Sequence, residues 1–232
     1  MTSPTTTPAS DSPGSTPKPS GDDIKQAASD SVRHDVDIRA RIHDMTLLAL
    51  KSRRFDSHGM REVVRAVTEG IALGAEPSRA DLRQALSEAF RGMDDALTRS
   101  AEAGRVALNQ LVASGKDLSD SEIKQALATM KRLEDDFLST ASQVAAAANE
   151  KVRPELSRLI DTARVNGTET GKVATSAFTE LAYRFSVASL DMALAGMEVA
   201  SIVGSRFAQL ASGILGGIGD ALAERPPEKK PR

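Results

Sequence analysis

Between residues 22 and 225 only two prolines interrupt the chain, Pro77 and Pro154. Proline lacks a backbone donor and clashes with the preceding helical turn, so a chain this free of it can run in long helices. The residue types agree. Ala, Leu, Glu, Lys, Arg and Gln dominate, and these are strong helix formers. No β-branched run bounded by turn residues is seen, so no strand is expected. The expected fold is all-α: long amphipathic helices in an extended bundle, with disordered tails at both ends.

The tails follow from composition. Residues 1–21 are mostly Ser, Thr, Pro and Gly and hold five of the ten prolines. Such a segment cannot bury enough apolar surface to offset its ordering entropy. Residues 224–232 carry Pro226, Pro227 and Pro231 among charges and read as a second solvated tail. Between them, residues 22–166 read as about four amphipathic helices and residues 167–223 as one long helix.

Apolar spacing marks the helices. Ile38, Ile42, Met45 and Ala49 share a face, within a first helix expected over about 22–52. Val63, Val67 and Ile71 define a shorter helix that ends at Gly74. A third is expected to open at Ser78, with Asp81 completing a capping box, and carries Leu86, Phe90, Met93, Leu97, Gly104, Leu108 and Leu111. Ser119 and Glu122 form a second capping box, flanked by Leu118 and Ile123 as a hydrophobic staple. The fourth helix continues through Leu127, Met130 and Phe137. It is expected to kink near Pro154 and to stop at Asn166-Gly167.

The fifth helix, from about Thr168 to Ala223, is the most informative. At 100° per residue, seven of its eight charges fall within an arc of about 100°. Phe178, Phe185, Val203, Phe207, Ile214 and Ile218 lie on the other side. Gly196, Ala200, Gly204, Ala208, Ser212 and Gly216 recur every four residues, a small-residue ridge that lets two helices approach closely. The predicted contact residues for helix packing or an apolar surface are therefore Phe178, Phe185, Gly196, Ala200, Val203, Gly204, Phe207, Ala208, Ile214 and Ile218.

Catalytic chemistry finds little support. The chain has no cysteine, which removes disulfides, thiolate metal sites and cysteine nucleophiles. His34, His43 and His58 are nine and fifteen residues apart, not at the spacing of a helical metal pair. Ser121 and Lys124 match an S-x-x-K pattern without its companion motifs. The glycines from Gly213 to Gly219 do not form a phosphate loop, since no strand precedes them. Adjacent acids such as Asp94-Asp95 and Glu134-Asp135-Asp136 diverge on a helix and read as a solvated face. No catalytic residue, metal ligand or cofactor is expected.

Partners are bounded in the same way. The net charge is −2, too acidic for a general nucleic-acid binder. Residues 33–65 hold eight Lys and Arg against five acids, including Lys51, Arg53 and Arg54, and read as a solvated basic surface. No secretory signal and no stretch of 18 uncharged apolar residues is found. The longest late uncharged stretch, Phe207 to Gly219, has 13 residues. A cytoplasmic place, peripheral on a granule or membrane, is expected.

Long Ala-rich helices, near-absent aromatics, no cysteine and a near-neutral charge together resemble phasins, the bacterial proteins that coat polyhydroxyalkanoate storage granules. The resemblance covers residues 57–223 in character, and uncharacterised bacterial helical families share it. It implies a non-enzymatic helical protein that lies on an apolar surface, of lipid or polymer. A second reading is a self-associating bundle with the fifth helix at its centre and a further copy of the chain as partner. A third, a secreted bacterial effector or translocator, rests on the Ser/Thr/Pro-rich start and the late apolar helix.

Overall fold

The computed structural model describes residues 18–34, 37–75, 81–114, 121–185 and 211–217. Seven helices span them: α1 (Gly21–His34), α2 (Ile38–Lys51), α3 (Ser57–Gly74), α4 (Leu82–Ala113), α5 (Ser121–Ala147), α6 (Arg153–Asn166) and α7 (Glu169–Phe185). Residues 211–217 are helical as well. The all-α class holds, and no strand occurs among the described residues.

Two boundaries differ from expectation. The first helix is two. Asp37 leaves helical geometry at φ −118° and its carboxylate accepts the Ala40 amide at 3.2 Å, opening α2 anew. Apolar spacing runs on through the break, which is why it reads as one helix. At Pro154 there is a break and not a kink. α5 ends at Ala147, the Asn149 carbonyl accepts the amides of Val152 and Arg153, and Pro154 sits in the first turn of α6, where its missing donor costs nothing. The expected openings at Ser78 and Ser119 lie outside the described residues.

α4 is the central helix, and each of the other six packs against it. Its sequence explains this. Leu86, Phe90, Met93, Leu97, Leu108 and Leu111 make the expected stripe, while Ala85, Ala89, Gly92, Ala96, Ser100, Ala103 and Ala107 are buried around the remaining circumference. Small residues let neighbours approach from several sides at once. α5 runs antiparallel to α4, with Phe90 stacked on Phe137 at 5.2 Å and Met130 beside Gly104. Phe55, from the corner between α2 and α3, fills the space that Gly104 leaves open.

α1 runs parallel to α3 at very short range. A β-carbon at Gly70 would collide with the Lys25 carbonyl and one at Gly74 with the Ser29 carbonyl. Gly92 likewise admits the Arg39 backbone of α2 against α4. α1 opens with a reciprocal cap: Ser20 donates to the Asp23 carboxylate through its amide and hydroxyl, and the hydroxyl accepts the Asp23 amide.

Candidate functional site

Three places concentrate polar chemistry or unusual exposure. The first is the start of α7. Gly167, at φ 75° and ψ 158°, ends α6 in an extended positive-φ conformation that glycine adopts without strain, and Thr168 caps α7 by accepting the Gly171 amide at 2.9 Å. The expected helix boundary at Asn166-Gly167-Thr168 is correct. Two carboxylates from other helices complete the cap. Asp94 of α4 accepts the amides of Glu169 and Thr170, both at 3.1 Å, and the Thr170 hydroxyl at 2.7 Å. Glu134 of α5 accepts the amide and hydroxyl of Thr168, each at 2.8 Å. Burial pushes the Asp94 carboxyl above its ordinary range, against the opposing pull of the Thr170 and Glu169 donors. Of the acids read from sequence as a solvated face, Asp94 and Glu134 form a joint between three helices, while Asp135 is exposed. The signal for them was the cap position, not the acids themselves.

The second place is the corner between α2 and α3. The Arg53 side chain is only 8% exposed. Its guanidinium donates to the carbonyls of Ala49 and Pro19 at 3.3 and 3.4 Å, and its Nε lies 3.6 Å from Glu62. Its own carbonyl accepts the Ser212 hydroxyl at 3.0 Å. Ala211 and Leu215 are buried beside it. One residue thus ties the residues just before α1, the helical corner and the late helical segment 211–217.

Of the contact residues read from sequence, two have described side chains. Phe178 is half-buried on α7, with Lys131 Nζ 5.5 Å from its ring centre. Ile214 is half-buried against the core. Phe185 is the last residue of α7. Gly196, Ala200, Val203, Gly204, Phe207, Ala208 and Ile218 lie outside the described residues, as does most of the proposed single rod over 167–223. The described part of α7 packs on α4 and α5 with Thr170, Ala174, Ala177 and Leu181 inward, at the edge of the bundle and not its centre.

The third place is a groove. Among the described residues, α1 and α5 both pack on α3 and not on each other, which leaves a groove between them above α3. One half, a cavity of about 520 Å³, is lined by Arg53, Arg61 and Arg65 with Thr140 of α5. The other, about 670 Å³, is lined by Ala72, Leu73, Val144, Ala147 and Ala148. Lys25, Arg65, Glu69 and Gln143 border both.

The histidines stay apart. His43 pairs with Asp44 at 2.9 Å and His58 with Glu62 at 3.3 Å. Among the described residues no group of His, Asp and Glu could hold a metal ion, and no helix is long and apolar enough to cross a membrane.

Fold and surfaces together define an all-α bundle that, among the described residues, buries most of its apolar stripes within one chain and leaves a groove on one side. The chain belongs to DUF6781, a family of unknown function, whose model matches residues 15–224. No curated protein and no solved structure matches it.

Proposed function

We propose that the protein is a non-enzymatic helical interaction protein, and that its late apolar stretch, residues 207–219, seats on an apolar surface of lipid or storage polymer. The observation that supports this is the way the described part of that stretch is held. Residues 211–217 bury Ala211 and Leu215 against the bundle, while Gly213 and Gly217 are exposed and Ile214 is half-buried. Among the described residues their ties to the body are one hydrogen bond to a backbone carbonyl and a short apolar contact. A segment held so lightly can exchange that contact for a larger apolar surface, where an amphipathic helix buries its greasy side and keeps its charges in water. The resemblance to phasins supports the same reading, with a granule or membrane as the surface and the cytoplasm as the place.

The burial of the apolar stripes of α2 to α5 within one chain favours a second reading, a bundle scaffold whose partner is another copy of itself. One experiment separates the two. The full chain is floated with phosphatidylcholine–phosphatidylglycerol vesicles and, separately, with polyhydroxybutyrate particles. The wild type is expected to float. Ile214→Glu with Ile218→Glu is expected to stay below, with an unchanged circular dichroism spectrum. An intact protein that floats with neither particle, and scatters light as a defined oligomer, would replace the surface reading with the scaffold.

A further inference from the structure

We infer that Asn166 is a self-modifying site: it converts to isoaspartate without an enzyme, and the conversion loosens the joint that holds the start of α7. The inference stands apart from the late apolar stretch and from the groove.

The chain has three asparagines, Asn109, Asn149 and Asn166. Asparagine is a thermolabile residue because the next backbone nitrogen can attack its side-chain carbonyl. The attack needs an accessible side chain, an untied amide and little bulk on the following residue. Asn109 does not meet these needs. It lies within α4, where the Gln110 amide belongs to the helical ladder, and its Oδ1 is buried. Nor does Asn149. Its Oδ1 accepts the Lys151 amide at 3.0 Å, and Glu150 follows it with a full side chain.

Asn166 meets all of them. It is the last residue of α6 and is exposed. The next residue is glycine, so no β-carbon crowds the attacking nitrogen. Nothing lies within 4 Å of the place a Gly167 β-carbon would take. The Gly167 amide donates no hydrogen bond among the described residues, whereas the amides that follow α2, α3 and α4 are tied back to their helices.

The step balances with water alone. The Gly167 nitrogen gives up its proton and bonds to Cγ of Asn166. The bond from Cγ to Nδ2 breaks, and ammonia leaves with that proton, closing a succinimide ring. Water then opens the ring at either carbonyl. Opening at Cγ leaves aspartate. Opening at the backbone carbonyl leaves isoaspartate, whose chain now runs through Cβ and Cγ.

The position gives this a consequence. Isoaspartate adds a carbon to the backbone just before Gly167, together with a negative charge. Glu134 holds the amide and hydroxyl of Thr168, each at 2.8 Å, and that hydroxyl caps Gly171 at 2.9 Å. Asp94 holds the amides of Glu169 and Thr170, both at 3.1 Å. A longer link between a packed α6 and a packed α7 shifts Thr168 against these contacts. The added charge lies at the carboxyl end of α6, where the helix dipole disfavours it.

The test ages the full chain in warm, mildly alkaline buffer and follows it by peptide mass mapping and enzymatic methylation of isoaspartate. Asn166 is expected to convert at least about tenfold faster than Asn109 or Asn149, a barrier lower by about 1.4 kcal/mol. Amide exchange over residues 168–171 is expected to quicken in the aged wild type. Asn166→Gln, which closes such a ring far more slowly, should neither convert nor quicken. Asn166→Asp, freshly made, carries the charge without the added carbon and should quicken exchange less. Both variants replace an exposed side chain and keep Gly167, so both should fold. Conversion no faster than at the other two asparagines overturns the inference. So does conversion that leaves exchange at the start of α7 unchanged, or equal quickening in aged Asn166→Gln. Exchange in fresh Asn166→Asp as fast as in the aged wild type would overturn the part given to the added carbon.

Discussion

Gly70 and Gly74 decide how near α1 can lie to α3, and the contact they make is between backbones. Replacing a helical glycine with alanine ordinarily stabilises by up to about 1 kcal/mol, because the unfolded chain loses more freedom with glycine. At Gly70 a β-carbon would meet the Lys25 carbonyl and the Ala28 side chain, neither of which can swing away. The steric term then outweighs the propensity gain, since overpacking a tight contact costs about 1–3 kcal/mol. Gly213 has nothing near the place its β-carbon would take. Gly70→Ala should therefore lower the thermal midpoint, and Gly213→Ala should leave it unchanged or raise it. Circular dichroism melts of the two variants beside the wild type decide the matter. A Gly70→Ala protein as stable as the wild type would mean that α1 is not pressed against α3. This contact was hidden in the sequence. The ridge that drew attention there was Gly196 to Gly216, whereas Gly70, Gly74 and Gly92 show their purpose only once the opposing backbone is known.

At the scale of elements, α7 depends on carboxylates that belong to α4 and α5. The Asp94 carboxyl titrates above its ordinary value of 3.8, since burial outweighs the hydrogen bonds that favour its charge. The folded state therefore binds more protons than the unfolded state between the two pKa values. Stability assigned to Asp94 is fullest at low pH and declines as pH rises through the folded value. Asp94→Asn removes that titration and presents an amide to the α7 donors, at a cost of about 1 kcal/mol typical of a lost cap. The melting-temperature gap between wild type and Asp94→Asn should be wider at about pH 4 than at about pH 7. A gap that narrows on acidification would show that the hydrogen bonds, and not burial, govern this group. Much of this level was legible beforehand. The stripes of α3, α4 and α5 fell where apolar spacing put them, because burial against a neighbour is what that spacing encodes. The Asn166-Gly167-Thr168 boundary was also readable, since it rests on local cap chemistry. The break after His34 and the reversal before Pro154 were not. Apolar spacing persists through the first, and at the second Pro154 reads equally as a kink or as a first-turn residue until the packing of α6 on α5 is seen. The groove was invisible for a related reason: Arg65 and Thr140 are unremarkable on their own helices and line one cavity only because α1 and α5 stand apart on α3.

For the molecule as a whole, the question is whether the late segment melts with the bundle or leaves it first. Leu108 and Leu215 are equally buried, at 0% and 1% exposure, yet their settings differ. Leu108 lies in α4, the helix every other one touches, so truncating it removes contacts that the entire bundle shares. A cost of about 2–5 kcal/mol is usual for such a site. At this chain length each kcal/mol moves the midpoint by about 2–4 °C. Leu215 anchors a segment with few described ties, and the cost of truncating it is limited by the free energy of undocking that segment alone. Leu108→Ala should therefore lower the midpoint strongly and speed amide exchange throughout. Leu215→Ala should barely move the midpoint while residues 211–217 lose their protection. Exchange mass spectrometry of both variants reads the two outcomes directly. If Leu215→Ala destabilised the bundle as much as Leu108→Ala, the segment would be part of one cooperative core, and a surface could recruit it only by unfolding the rest.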